Sequence, residues 1–149
     1  MILKESYFKN ISNVEQQVFL FEDTLRNNMT LYKEYSEEEI NLSIKRARLK
    51  DFVEGSQDGI DTIIYDNGKN ISGGERSRVA IARGLLSKTD IIFLDEAFAS
   101  LDAKIARQIE DTLLNLENIT VVNVSHVIFE DTKENYDKVF IVKDKTVIV

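Results

Sequence analysis

The chain has 149 residues, 43% of them hydrophobic, and a net charge of -7, which allows one ordinary domain with a single core. It has no cysteine, so a disulfide framework and a thiolate metal site are excluded, and a reducing cytoplasm fits. The acidity disfavours nucleic acid as a partner, because a phosphate-backbone footprint needs clustered Lys and Arg. Apolar runs such as residues 91–94 and 139–142 are too short to cross a bilayer, and the N-terminus shows no signal-peptide core.

Residues 2–20 mix apolar and polar positions without a clean period and read like a segment entered in mid-domain, with a short strand at 10–14. Ser36 and Glu39 make an S-x-x-E capping box, and Ile40, Ile44 and Ala47 follow on one helical face. A helix over 36–48 is expected. Gly55, Gly59, Asp66, Asn67 and Gly68 then argue for an irregular connection over 51–69. Ser72 and Glu75 form a second box, with a helix running behind it through Val79, Ala82 and Leu86.

A short apolar strand at 91–94 comes next, then Ala106, Ile109, Leu113 and Leu116 at helical spacing, and strands at 119–124, 138–142 and 146–149. Strand, helix, strand with these lengths implies parallel pairing and a right-handed crossover. The second half is therefore α/β. Residues 17–86 read as a mostly helical lobe without a strand partner of its own.

Chemistry concentrates at three places. The strand at 91–94 ends in Asp95 and Glu96, which would emerge where parallel sheets gather ligands. There Asp95 could hold Mg²⁺, a hard ion that prefers oxygen, and Glu96 could act as general base on water. The same string also describes a solvated strand end with two surface acids. His126, the only histidine, follows the 119–124 strand and would face the same space as Glu96 if the strands are parallel, although a lone histidine is commonly just exposed. Ser72-Gly73-Gly74-Glu75 opens a helix whose free amides favour an anion such as a terminal phosphate, while the plain alternative is a capping box with Glu75 folded back.

Taken in order, Gln16, Ile71-Ser72-Gly73-Gly74-Glu75, Ile91-Ile92-Phe93-Leu94-Asp95-Glu96, Ser100-Leu101-Asp102 and Ser125-His126 resemble the ATP-binding cassette (ABC) ATPase domain over about residues 9–149. They match its Q-loop, signature motif, Walker B strand, D-loop and H-loop. The resemblance implies a partial P-loop NTPase (RecA-like) α/β sheet, made of about 1–16 and 87–149, plus an attached α-helical subdomain over about 17–86. It also implies ATP and Mg²⁺ as cofactors. Gln16 would couple Mg²⁺ and the attacking water to the helical lobe. Ser72, Gly73 and Gly74, with Glu75, would serve the γ-phosphate of ATP held by an opposing subunit, Asp95 would hold Mg²⁺, and Glu96 would be the base. Asp102 would communicate across the dimer, and His126 would contact the γ-phosphate. The implied partners are the transmembrane domains of a transporter and a second ATPase domain arranged head to tail, with a cytoplasmic, peripheral location. Val18-Phe19-Leu20-Phe21, Thr24-Leu25-Arg26-Asn27 and Gly59-Ile60-Asp61-Thr62 resemble exporter-type members.

One element is missing. The pattern G-x-x-x-x-G-K-[ST] has a single near miss, Gly68 to Gly73, where Gly74 stands in place of the lysine. Without that phosphate cradle, weak or absent ATP binding is expected of the isolated chain. An exposed sheet edge and apolar patch are expected as well, leading to self-association, strand exchange or a rearranged N-terminal segment. Smaller departures are Glu15 for proline, Ile71 for leucine and Glu75 for glutamine. The competing readings are a non-catalytic module that donates its signature motif to a partner's ATP and a chromosome-organising ATPase. The latter is disfavoured by the short, heptad-free segment between Gln16 and Ser72.

Overall fold

A computed structural model describes residues 10–127 and 129–148. The expectations for residues 2–9 and for a strand end at Val149 lie outside the described residues. Strands β1 (Ile11–Val14), β4 (Ile91–Asp95) and β5 (Thr120–Val124) form one sheet in the order β1-β4-β5. Both pairings are parallel, with Val14 opposite Leu94 and Asp95 opposite Val124. β4 is central, and its Ile92 and Leu94 are buried, which is why this segment is so apolar.

Between β1 and β4 the chain builds helices α1 (Leu25–Thr30), α2 (Glu37–Arg46), α3 (Lys50–Gly55) and α4 (Gly73–Leu86). Both capping boxes form. Ser36 N donates to Glu39 Oε2 at 2.8 Å, and Ser72 N donates to Glu75 Oε2 at 2.8 Å. α4 is buried along Val79, Ala80, Ile81, Ala82 and Leu86 and packs on α1, α2 and β1. A Cβ on Gly84 would come within 3.1 Å of Val14 Cγ2, so its absence lets α4 lie close on β1. Ser43 Oγ donates to Ala82 O at 2.8 Å and Arg83 Nε to Asn28 O at 2.9 Å, tying α2 and α1 to this helix. The Asn28 side chain, itself fully buried, accepts from Phe21 N and donates back to Phe21 O and Thr24 O.

Two expectations for this half need correction. Strands β2 (Asp23–Thr24) and β3 (Ile63–Ile64) pair antiparallel, so the lobe has a strand ladder of its own. Nor is the 51–69 segment wholly irregular, since it opens with α3 and contains a 3-10 turn at Gly59–Asp61. Both elements are too short to generate a readable period.

After β4, helix α5 (Ala103–Leu114) buries Ala106, Ile109, Glu110 and Leu113, a stripe at i, i+3, i+4 and i+7. Burying Ile109 and Leu113 contributes about 1.5–3 kcal/mol each. Glu110 is the charged member of the stripe and is only 3% exposed. It accepts from Tyr136 Oη at 2.5 Å, from Asn123 Nδ2 at 3.4 Å and from Thr132 Oγ1. A charge can stay in such a place only when several donors surround it. The chain ends in an antiparallel hairpin, β6 (Ile141–Lys143) and β7 (Thr146–Ile148), shorter at its start than the expected 138–142 strand. Phe140, Ile141, Val142, Val147 and Ile148 are all exposed there, as is Val124 on β5.

Burial, and then the hydrogen bond to Glu110, push the Tyr136 phenol above its ordinary value of 10.0. The unfolded chain therefore loses this proton first. The stabilisation is complete below pH about 10 and declines as pH rises beyond it. Tyr136→Phe should flatten that alkaline decline, read as the urea midpoint against pH above about 10; an unchanged slope would refute the assignment.

Candidate functional site

Parallel pairing brings three strand ends to one edge of the sheet. Gln16 lies two residues past β1, Glu96 one residue past β4, and His126 two residues past β5. His126 Nε2 stands 3.4 Å from Glu96 Oε1. The Glu96 backbone is left-handed, with φ of 50°, a conformation that costs a non-glycine residue about 1–2 kcal/mol. It is held by Glu96 N donating to Val124 O at 2.9 Å and by Ala99 N donating to Glu96 O at 3.1 Å. The strained turn bends the chain away from the sheet directly after β4. The Glu96 side chain is 19% exposed whereas that of His126 is 94% exposed, so one is walled in and the other reaches out from solvent.

Asp95 is exposed, and its carboxylate makes no hydrogen bond or ion pair among the described residues. Among those residues, no group of three or more His, Cys, Asp and Glu side chains is arranged to hold a metal. A single carboxylate completed by water and phosphate oxygens is nevertheless the habit of Mg²⁺. Asp95 fits that role.

The second cluster is separate. Ser72, Gly73, Gly74, Arg78, Ser100, Leu101 and Asp102 line a cleft of about 430 Å³ at the N-terminus of α4. Ser72 Oγ accepts from Glu75 N at 3.1 Å, which leaves its own proton free to donate. Glu75 is turned back onto Ser72 N, completing the capping box. Asp102 accepts from Ile105 N at 3.0 Å and thereby caps α5. A Cβ on Gly74 would sit 3.3 Å from Ser100 O, and one on Gly73 would sit 3.6 Å from Ser100 Cβ. Gln16 lines a neighbouring cleft of about 410 Å³ together with Gly73, Arg76, Ser77 and Ser100. No described hydrogen bond or ion pair joins the α4 cleft to Glu96 and His126.

Arg78 went unread in the sequence. Its Nε donates to Gly74 O at 3.3 Å and its Nη1 to Arg48 O, and it supplies the only cationic group of the α4 cleft lining. The available signal was its place four residues after Gly74, on the same helix face.

The residues present fit one side of a terminal phosphate and a Mg²⁺ contact, but no lysine-bearing phosphate loop occurs among the 149 residues. Ser72→Ala should destabilise the fold by about 1 kcal/mol through loss of the cap. Gly74→Val should leave thermal unfolding nearly unchanged only if Ser100 can retreat, and otherwise lower it, which differential scanning would show.

Comparison with known proteins agrees with this geometry. A family profile described as ABC transporter matches residues 3–99. The chain is 42% identical over 142 residues to ATP-dependent lipid A-core flippase 1 of Colwellia psychrerythraea, covering 94% of this chain and 23% of that protein. It is 41% identical over 138 residues to ATP-dependent lipid A-core flippase of Pasteurella multocida, covering 91% and 23%. Among solved structures, a bacterial Atm1-family ABC exporter with ATP bound superimposes with a TM-score of 0.77 and 31% identity, over 82% of this chain and 22% of that one. The chain thus spans about a quarter of the length of the relatives it matches, and its parallel sheet with helices is a P-loop NTPase-like fragment. By profile, sequence and structure, the chain belongs to the ABC transporter family.

Proposed function

We propose that this chain is the signature-bearing and Glu96-bearing portion of an ATPase unit that energises export across a membrane. The observation that carries the reading is the 3.4 Å approach of His126 to Glu96 at the sheet edge, together with a separate cleft at Ser72 to Gly74. One cluster is suited to cleaving ATP and the other to gripping the ATP of an opposing subunit, as a head-to-tail pair requires. Family members use ATP and Mg²⁺; when bound, Mg²⁺ neutralises phosphate charge.

In this reading Glu96 takes the proton of the attacking water, and His126 holds that carboxylate on one side and a terminal phosphate on the other. Asp95 would hold Mg²⁺, and Gln16, which lines a cleft with Gly73 and Ser100, would couple the ion and the attacking water to movement of the helical lobe. Ser72 and the amides of Gly73 and Gly74 bind the partner's γ-phosphate, and Asp102 lies beside them at the subunit interface. Residues 17–86 form the lobe that moves against 1–16 and 87–149. No described helix is long and apolar enough to cross a membrane; in this reading the partners are transmembrane domains that hold this part at the cytoplasmic face. A phosphate loop must come from outside these 149 residues, and ATP binding by the chain alone is weak or absent.

The signature cleft is built entirely by this chain, which supports a second reading: a module that only donates that motif. ATPase activity should be near zero alone and should appear on mixing with a domain that carries a phosphate loop. Glu96→Gln should then reduce it by about 10²–10⁴-fold. Activity that returns on mixing yet ignores Glu96→Gln would favour the donating module, and no recovery under any mixing would reject both. Sedimentation velocity should show concentration-dependent self-association through β5 and the β6–β7 hairpin; a monomer at all concentrations would remove that part of the proposal.

A further inference from the structure

The side chain of His126 is almost wholly exposed, and Glu96 is its one ion-pair partner among the described residues. Packing therefore does not hold the ring; its place depends on the backbone that carries it. That backbone is anchored upstream by Glu96 N on Val124 O at 2.9 Å and locally by Val127 N on Ser125 Oγ at 3.0 Å.

Behind it lies the buried carboxylate of Glu110. Three residues before His126, Asn123 Nδ2 donates to Glu110 Oε1 at 3.4 Å and to Tyr136 Oη at 2.7 Å. Six and ten residues after it, Thr132 Oγ1 and Tyr136 Oη donate to the same carboxylate. The downstream segment is also docked on α5 by Arg107, which stacks 5.0 Å over Phe129 and pairs with Asp131 at 3.5 Å. One side chain of α5 thus ties both flanks of His126 to the helix that Asp102 caps.

We propose that Glu110 is a positioning residue for His126. It never reaches the reacting atoms, but it fixes the strand end and the return loop between which His126 is suspended, and so keeps the imidazole within reach of Glu96. An apolar residue would suit the α5 stripe better by burial alone, but it would abandon Asn123, Thr132 and Tyr136. The inference rests on the reading of His126 and Glu96 as working partners, although the placement itself can be tested without that reading.

Because His126 is the only histidine, histidine-selective ¹⁵N labelling of the full chain yields ring signals from one residue. The wild type should give a single set, showing one ring environment. Glu110→Ala should broaden or double it. Tyr136→Phe, which conserves volume and is the substitute should Glu110→Ala fail to fold, should do the same more weakly. Unchanged His126 signals in whichever of these variants folds would overturn the proposal. A second measurement uses the ATPase restored by mixing: Tyr136→Phe should lower kcat roughly tenfold with KM little changed, as a misplaced catalytic group does, and should add nothing in a His126→Ala background. An equal further loss in that background would mark a merely structural role and overturn the proposal. If mixing restores no activity, the functional reading fails while the labelling experiment still decides the placement.

Discussion

The parallel register of β1, β4 and β5 is the constraint from which the candidate site follows. Because the three strands run the same way, every residue that follows a strand end emerges at one edge, whatever its distance in sequence. Gln16, Glu96 and His126 span 110 positions, yet they share that edge because Val14 pairs with Leu94 and Asp95 with Val124. An antiparallel β5 would have sent His126 to the opposite end of the sheet. The burial of Ile92 and Leu94 on the central strand is what commits the chain to this register, since a slip by one residue would turn both toward the other face.

A second layer of organisation comes from helix termini. Ser72 and Asp102 are both N-caps, and the two capped ends meet, with the backbone of Ser100 lying against Gly74. A Cβ at Gly74 would stand 3.3 Å from Ser100 O, so a side chain there requires Ser100 to give way. The cap that stabilises α4 is a reciprocal pair, with Ser72 N donating to Glu75 and Glu75 N donating to Ser72 Oγ.

The Glu110 cluster differs because it runs against the local rule. The apolar face of α5 should not contain a carboxylate, and the donors that satisfy it come from β5 and from the loop beyond His126. A buried charge surrounded by specific partners tolerates fewer arrangements than an apolar contact of the same size, and that intolerance suits a place where one exposed side chain must be kept in position.

By itself the sequence determined the capping boxes at Ser36 and Ser72, the long helices with clear periods, the apolar central strand ending in Asp95 and Glu96, and the family to which these motifs belong, because each is written in residues close together along the chain. The phosphate loop missing from these 149 residues was equally plain. The β2–β3 ladder and α3 escaped notice because two-residue strands and a six-residue helix carry too little period to read. The sequence put His126 and Glu96 on one side on the condition that the strands are parallel, which the tertiary structure met; it alone decided that Arg78 shares a cleft with Gly74 and that Glu110 is buried among Asn123, Thr132 and Tyr136. Those are encounters between segments far apart in sequence, and their distances are set by strand pairing and by the packing of α5, which no local pattern encodes.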